Sequence, residues 1–114
     1  MKQFLQTLTT APTDIAFSDT IAVIDGHYDF IPTAFRNGEL QNAGGQNNGS
    51  CKVFSFARLN NLSQQQTLHC FGGYYRDDVL LHPDGTDHQN IRNFMKFGWE
   101  GIAFDGNALT ARKT

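Results

Sequence analysis

Apolar residues recur at helical spacing in several stretches of the chain, and each stretch predicts an α-helix. The first lies around residues 4–8 and ends before Pro12. The second has Ser18 as its predicted N-cap and ends at Pro32. Its apolar stripe consists of Phe17, Ile21, Ile24 and Tyr28. The third runs from Cys51 to Leu59, where a helix is favoured over a strand because the turn Asn60-Asn61 follows it.

Two capping boxes predict where a fourth and a fifth helix begin. Ser63-x-x-Gln66 starts the fourth, whose apolar stripe continues through Gly72-Gly73. After a turn at residues 82–86, Thr86-x-x-Gln89 starts the fifth. The fifth helix is predicted to cover residues 87–97, to be capped by Thr86 or Asp87, and to end at Gly98.

Two hairpins are predicted from turn dipeptides that lie between apolar residues. Asn37-Gly38 supplies the two positive φ angles that a type I′ turn requires. Asp105-Gly106 predicts a second, terminal hairpin, whose strands would pair with the first. The predicted fold class is therefore α+β, with about five helices and a small antiparallel sheet made of two hairpins.

Composition limits the classes of function that the chain can have. Its 114 residues are enough for one domain, which we assign to residues 1–114. The formal net charge is −2 without a basic stripe, so we expect no nucleic-acid partner. Neither a signal-peptide region nor an apolar run of about 18 residues is present, so we expect a cytoplasmic protein without a membrane partner.

The segment from Gln41 to Ser50 is uncharged and rich in Asn, Gln and Gly, which predicts an exposed loop. It leads into the third helix, where free backbone N–H groups and the helix dipole favour an anion. Asn47, Asn48 and Ser50 would add side-chain donors, and Lys52 would add a positive charge. We therefore expect a binding site here for a small anionic ligand or an acidic side chain of a protein. The alternative is a flexible connection onto a capped helix.

Cys51 is the main candidate for catalysis. In the first turn of a helix and beside Lys52, its thiol would be favoured as a thiolate. If His27 or His88 lay within hydrogen-bond distance, the pair could act as nucleophile and base. The alternative is that Cys51 is a small buried residue, as is expected of Cys70. Two cysteines are too few for a disulfide framework, so free thiols are expected.

The remaining aromatic, basic and acidic residues support weaker hypotheses. A recognition surface is one, formed by Tyr74, Tyr75, Arg76, Arg92 and Trp99. The alternative places aromatic rings in the core and pairs the arginines with Asp77, Asp78 or Asp87. No known metal-ligand spacing is found among Asp25, His27, Asp29, His82, Asp84, Asp87 and His88. We therefore predict no metal and no other cofactor.

Several segments resemble the HopJ type III effector family. They include YDFIPTAFRNG at residues 28–38 and DHQNIRNFM at residues 87–95, with others at 17–25, 49–54, 73–76 and 98–99. The family is named for effectors that plant-pathogenic bacteria inject into host cells, so the resemblance implies a bacterial protein and secretion. Before Phe4 the chain lacks the polar leader typical of such effectors, and a role inside its own cell is expected beside injection.

The resemblance carries no catalytic residue over to this chain. The preferred hypothesis is a non-catalytic domain that binds a protein or a small ligand. The alternative is a small enzyme, either with Cys51 as nucleophile or as a metal-assisted hydrolase.

Overall fold

The computed structural model describes residues 1–112, which form helices joined by short strands. The α-helices are α1 (Lys2–Thr10), α2 (Phe17–His27), α3 (Asn48–Leu59), α4 (Gln64–His69) and α5 (Gln89–Phe97). A π-helix spans Tyr74–Val79, and 3₁₀ turns span Pro12–Asp14 and Gly98–Gly101. The strands are β1 (Tyr28–Phe30), β2 (Phe35–Asn37), β3 (Leu40–Asn42), β4 (Ile102–Phe104) and β5 (Leu109–Ala111). Within these residues no helix combines the length and the apolar composition that a bilayer crossing requires.

The strands form two small antiparallel sheets. β1 pairs with β5, while β2 lies between β3 and β4 in the second sheet. The α+β class is confirmed, as are the hairpin of β2 with β3 and the pairing of β4 with that hairpin. The predicted terminal hairpin is wrong, because β5 lies opposite β1 and β4 lies opposite β2. The sequence predicted one sheet made of two hairpins, whereas the structure has two sheets that share no strand.

α2 begins and ends differently from its prediction. The backbone N–H of Ala16 donates to the Asp19 carboxylate at 3.0 Å, so Ala16 is the N-cap and Ser18 is not. The helix ends at His27, well before Pro32. Tyr28, the last member of the apolar stripe, is the first residue of β1, and its ring lies 5.9 Å from that of Phe56. A strand that starts here points Tyr28 into the core as a helix would, so the stripe could not reveal the change of element.

The turn of the β2–β3 hairpin is shifted by one residue from its prediction. Asn37 pairs with Leu40, so the two turn residues are Gly38 and Glu39. Only Gly38 has a positive φ, at 62°, as in a type II′ turn with Gly at its first central position. Asn37 is consequently a buried strand residue whose side chain is available for packing and hydrogen bonding in the interior.

Phe54, in the middle of α3, is the centre of an aromatic core. Its ring centroid lies 4.9 Å from that of Phe94, 5.4 Å from Phe71, 6.0 Å from Phe35 and 6.5 Å from Trp99. These partners come from α5, from the segment after α4, from β2 and from the 3₁₀ turn after α5. α3 is buried on all sides from Val53 to Ala57 because the other elements surround it.

The predicted fourth helix is interrupted at Gly72. α4 ends at His69, Gly72 has a φ of 60°, and the chain continues as the π-helix. A Cβ on Gly72 would lie 2.5 Å from the backbone nitrogen of Phe17, so only glycine fits at this contact with the start of α2. The capping box that begins α4 is confirmed, since Ser63 Oγ accepts from the N–H of Gln66 at 3.1 Å and Gln66 Oε1 accepts from the N–H of Ser63 at 3.0 Å.

α5 begins at Gln89, two residues later than predicted. Its N-cap is His88, which has a φ of 51° and makes no side-chain capping bond. Neither Thr86 nor Asp87 is the N-cap of the helix. Asp87 Oδ1 instead accepts a hydrogen bond from Arg92 Nη2 at 2.7 Å. The predicted end at Gly98 is confirmed, and this glycine has a φ of 64°.

Replacing Gly72 with Ala should destabilise the protein by on the order of 2–4 kcal/mol, since it combines a left-handed φ with a steric clash. Gly26→Ala is the matched control, because no atom lies within 4 Å of the added Cβ in α2. The control should be neutral or stabilise by up to about 1 kcal/mol. Urea unfolding of the three proteins measures both effects, and equal stabilities would contradict the close contact at Gly72.

Ser63→Ala should cost about 0.5–2 kcal/mol, because it removes the side-chain oxygen that caps α4. Thr86→Ala should change the free energy of unfolding by less than about 0.5 kcal/mol, since the Thr86 side chain caps no helix. Thermal melting of both variants compares them directly. A larger loss for Thr86→Ala than for Ser63→Ala would restore the predicted cap on α5.

Candidate ligand-binding site

Half of the predicted exposed loop from Gln41 to Ser50 lies in β3 and α3, so the prediction holds only for residues 43–47. β3 ends at Asn42 and α3 begins at Asn48, which leaves only residues 43–47 as a connection. That connection is a tight turn, in which the N–H of Gln46 donates to Ala43 O and the N–H of Ala43 donates to Gln46 Oε1. Asn42, expected to be exposed, is 3 % exposed. Its amide is compatible with burial because it finds hydrogen-bond partners there.

Four asparagine side chains form a hydrogen-bonded network around Asn42, in which Asn37, Asn42 and Asn90 are buried and Asn47 is exposed. Asn42 and Asn90 exchange hydrogen bonds, at 3.2 Å from Asn42 Nδ2 to Asn90 Oδ1 and 3.0 Å in the reverse direction. Asn47 Nδ2 donates to Asn42 Oδ1 at 2.7 Å, and Asn37 Nδ2 donates to Asn90 Oδ1 and to Asn90 O. Since Asn47 precedes α3 and Asn90 lies in the first turn of α5, the network fixes two helix starts beside each other.

A cleft of about 470 Å³ opens where these two helix starts meet, and we call it the two-helix cleft. Its lining residues come mainly from the first turns of both helices and from an aromatic wall: Phe17, Leu40, Asn47, Gly49, Ser50, Phe71, Tyr74, His88, Gln89, Asn90 and Ile91. The structure brings three predicted site residues, Asn47, Ser50 and His88, to this cleft. It adds Tyr74, which the sequence had suggested only for a recognition surface.

Both helices begin in the same unusual way at the two-helix cleft. Their N-caps, Asn47 and His88, have φ values of 53° and 51° and make no side-chain capping bond. Within residues 1–112, the backbone N–H groups at 48–50 and 89–91 have no hydrogen-bond acceptor. The first N–H groups and the dipole of each helix make its N-terminus electropositive. Two such N-termini are therefore adjacent here.

His88 is held in place at the edge of the cleft. Its Nε2 lies 3.0 Å from Asp78 Oδ2, and its ring centroid lies 5.1 Å from that of Tyr74. Tyr74 also makes an edge contact with Phe17 at 5.1 Å, although it remains exposed. The imidazole thus has a carboxylate on one side and an aromatic ring on the other. No periodicity in the sequence could indicate these contacts, since they join α2, the π-helix and the cap of α5.

The other predicted ligand-binding residues have different roles. Lys52 Nζ lies 2.9 Å from Asp25 Oδ1 and 5.0 Å from the Phe30 ring centroid, so its charge is paired on another face. Arg76 donates to backbone oxygens of Pro12, Ile15 and His69 and holds the chain before α2. Asn48 is exposed in the first turn of α3 but does not line the cleft.

Arg92 braces the turn before α5. It donates to Asp87 and to the carbonyl oxygens of His82 and Pro83. The alternative hypothesis placed aromatic rings in the core and paired the arginines with acidic side chains. It fits Arg92, which pairs with Asp87, and Tyr75, which is buried. It does not fit Arg76, whose partners are mainly carbonyl groups instead of Asp77 or Asp78.

Cys51 is unsuited to the nucleophilic role that the sequence suggested. The residue is 1 % exposed, its Sγ lies 3.5 Å from Thr33 O, and burial raises the pKa of the thiol above its ordinary value. Among the described residues, no hydrogen bond joins Cys51 to His27 or to His88. The helix dipole favours a thiolate only where solvent or a cation also stabilises the charge, and α3 instead directs this thiol into the core.

The sequence predicted that the protein has no metal site. Across residues 1–112, the structure groups no three His, Cys, Asp or Glu side chains in a way that would hold a metal ion. The absence of a metal in the protein stays a prediction.

The fold and the cleft define a small α+β protein with a cleft between two helix starts. Residues 1–109 match the family described as HopJ type III effector protein, so the chain belongs to the HopJ family and the resemblance is confirmed. A crystal structure of VPA0580, described as a protein of unknown function, is similar over 98 % of this chain and 93 % of its own, with 57 % sequence identity and a TM-score of 0.97. None of the curated proteins compared with the chain matches it.

Both thiols should react slowly with iodoacetamide in the folded protein. Burial raises the pKa of Cys51, and it raises the pKa of Cys70 to about 12, whereas unfolded thiols ionise near ~8.5. At pH 8 the folded protein therefore holds less thiolate, and we expect labelling at least ~10-fold slower than in urea. Mass spectrometry of Cys51→Ala and Cys70→Ala assigns each thiol. Rapid labelling of Cys51 in the folded protein would contradict its burial.

The same pKa shifts predict the direction of the pH dependence of stability. Because the folded-state thiol pKa values are raised, their contribution to stability is complete below about pH 8.5 and decreases as the pH rises toward 12. The free energy of unfolding should decrease over this range, and Cys70→Ala should reduce the slope.

Proposed function

We propose that this HopJ protein is a non-catalytic binding protein that takes a small anionic ligand in the two-helix cleft. The observation that supports this most is the meeting of two helix N-termini on one cleft. Each N-terminus has three N–H groups without an acceptor in residues 1–112. An anion between them would accept from these donors and interact favourably with both helix dipoles.

The cleft lining indicates what else the ligand would carry. A volume of about 470 Å³ suits a small molecule. Phe17, Phe71 and Tyr74 offer an aromatic wall, so a planar or apolar body next to the anionic group would be favoured. Among the described residues that line the cleft, none is Lys or Arg. Backbone N–H groups would therefore hold the anion, as such groups hold phosphate at other helix N-termini. The Ser50 and Tyr74 hydroxyls would add two further donors.

A second candidate function, proton-transfer catalysis, is favoured by the contact of His88 with Asp78. A carboxylate 3.0 Å from Nε2 would orient the imidazole and leave the other ring nitrogen for a bound ligand. In this enzyme His88 would replace Cys51 as the reactive group. Release of phosphate from a bound phosphate ester would distinguish this function from binding alone.

The family description also bears on the cell in which the protein acts. It is consistent with a type III effector of bacterial origin, which would bind its ligand inside a host cell. A binding protein that acts inside its own cell would use the same cleft. Both roles require the same ligand chemistry.

Asn48→Asp should weaken the binding of phenyl phosphate by roughly fivefold, because it adds a negative charge at the first residue of α3. Binding would be followed by two-dimensional NMR of the amide groups. Titration of the unmodified protein should shift the N–H signals of Gly49, Ser50, Asn90 and Ile91 together. Benzyl alcohol, which shares the ring but lacks the charge, should bind more weakly.

Gln6→Glu provides the matched control, because it makes the same amide-to-acid change on α1, away from the cleft. Its affinity for phenyl phosphate should equal that of the unmodified protein. An acidic residue at a helix N-terminus favours the helix, so Asn48→Asp should remain folded. Equal affinities of the two variants, or shifts confined to one helix start, would contradict a shared anion site.

A further inference from the structure

A second cleft lies at the opposite end of α3. Its volume is about 430 Å³, and we call it the Ser55 cleft. It lies between the C-terminal half of α3 and the segment that joins β4 to β5, and it shares no lining residue with the two-helix cleft. Its side chains include Ser55, Arg58, Leu59, Phe104 and Asp105.

The Ser55 hydroxyl has only a weak hydrogen-bond partner although it is buried. Ser55 is 7 % exposed, and among the described residues its Oγ bonds to no oxygen or nitrogen and has only the Cys51 thiol, one turn earlier, as a neighbour. A serine inside a helix normally donates to the carbonyl group four residues earlier, and buried hydroxyl groups are rarely unpaired. Because Ser55 lines the cleft, a ligand oxygen that replaces the thiol contact would give its hydroxyl a stronger acceptor.

Arg58 supplies a charge to the same cleft. It lies three residues after Ser55, on the same face of α3. Within residues 1–112 it makes no salt bridge and no hydrogen bond, whereas Arg36, Arg76, Arg92 and Arg112 each donate to a neighbour. A guanidinium group suits a carboxylate because it can donate two parallel hydrogen bonds.

The rest of the cleft sets the size and charge of the ligand. Leu59 is 55 % exposed, and together with Phe104 and Ala108 it forms an apolar surface. Asp105, also in the lining, is exposed and disfavours a second negative charge. These features favour a singly charged carboxylate with an apolar body and one hydrogen-bonding group.

We propose that the Ser55 cleft is a second ligand site, which binds small apolar monocarboxylates. The carboxylate accepts hydrogen bonds from Arg58, the apolar body covers Leu59 and Phe104, and a carbonyl or hydroxyl oxygen accepts from Ser55 Oγ. This site is independent of the anion site at the other end of α3. Arg58 also interacts favourably with the dipole at the end of α3, which stabilises the helix. Its effect on stability and its effect on binding are therefore measured separately.

N-acetyl-L-leucine is the probe, because it combines a carboxylate, an apolar side chain and an amide oxygen. We expect calorimetry to show binding that Arg58→Gln weakens about tenfold and Ser55→Ala weakens about threefold or more. N-acetyl-L-leucinamide, which lacks the charge, should bind about tenfold more weakly than the acid. Arg36→Gln, at an exposed arginine outside the cleft, should bind as the unmodified protein does.

Two further readouts separate binding from folding. Ser55→Ala should melt at the same temperature or higher, because it removes a buried hydroxyl whose only neighbour is the weakly bonding Cys51 thiol. Phenyl phosphate titration should be unchanged in both variants, so a failure of this site is distinguishable from a failure of the two-helix cleft. The proposal is overturned if the amide binds as tightly as the acid, or if Arg58→Gln and Arg36→Gln bind alike.

Discussion

The packing of aromatic rings on Phe54 is the interaction on which the rest of the structure depends. The ring is fully buried and contacts rings from β2, from the segment after α4, from α5 and from the 3₁₀ turn that follows α5. Elements far apart in the chain therefore share one contact point. Because α3 is enclosed along its middle, its two ends are the most exposed parts, and one cleft lies at its start while the other reaches from its end to Ser55.

The asparagine network adds direction to this packing. Aromatic contacts bring α3 and α5 together without fixing their ends, whereas amide hydrogen bonds are specific in distance and angle. Asn42 bonds to Asn90 and to Asn47, and so aligns the start of one helix with the start of the other. Asn42 and Asn90 are buried, so the loss of the hydrogen bonds between them would be unfavourable. The shape of the two-helix cleft follows from this alignment.

The two clefts differ chemically because they lie at opposite ends of one helix. At its start, α3 offers unpaired N–H groups and the positive end of its dipole. At its end, the dipole favours a cation, and Arg58 supplies one with its whole charge. The anions that we propose at the two ends would therefore be held differently, by shared partial charges at the first and by a guanidinium group at the second.

Local patterns in the sequence determined most elements and some of their ends. The helical stripes, the capping box at Ser63, the end of α5 at Gly98 and the family segments all depend on residues close together in the chain. They also predicted a site at the start of α3, where the structure has a cleft. Tertiary contacts decided the rest. Gly72 ends a helical stripe because Phe17 leaves no room for a side chain, and β5 pairs with β1 across most of the chain. Asn42 and Cys51 are buried because partners distant in sequence surround them, and such long-range contacts have no local signal.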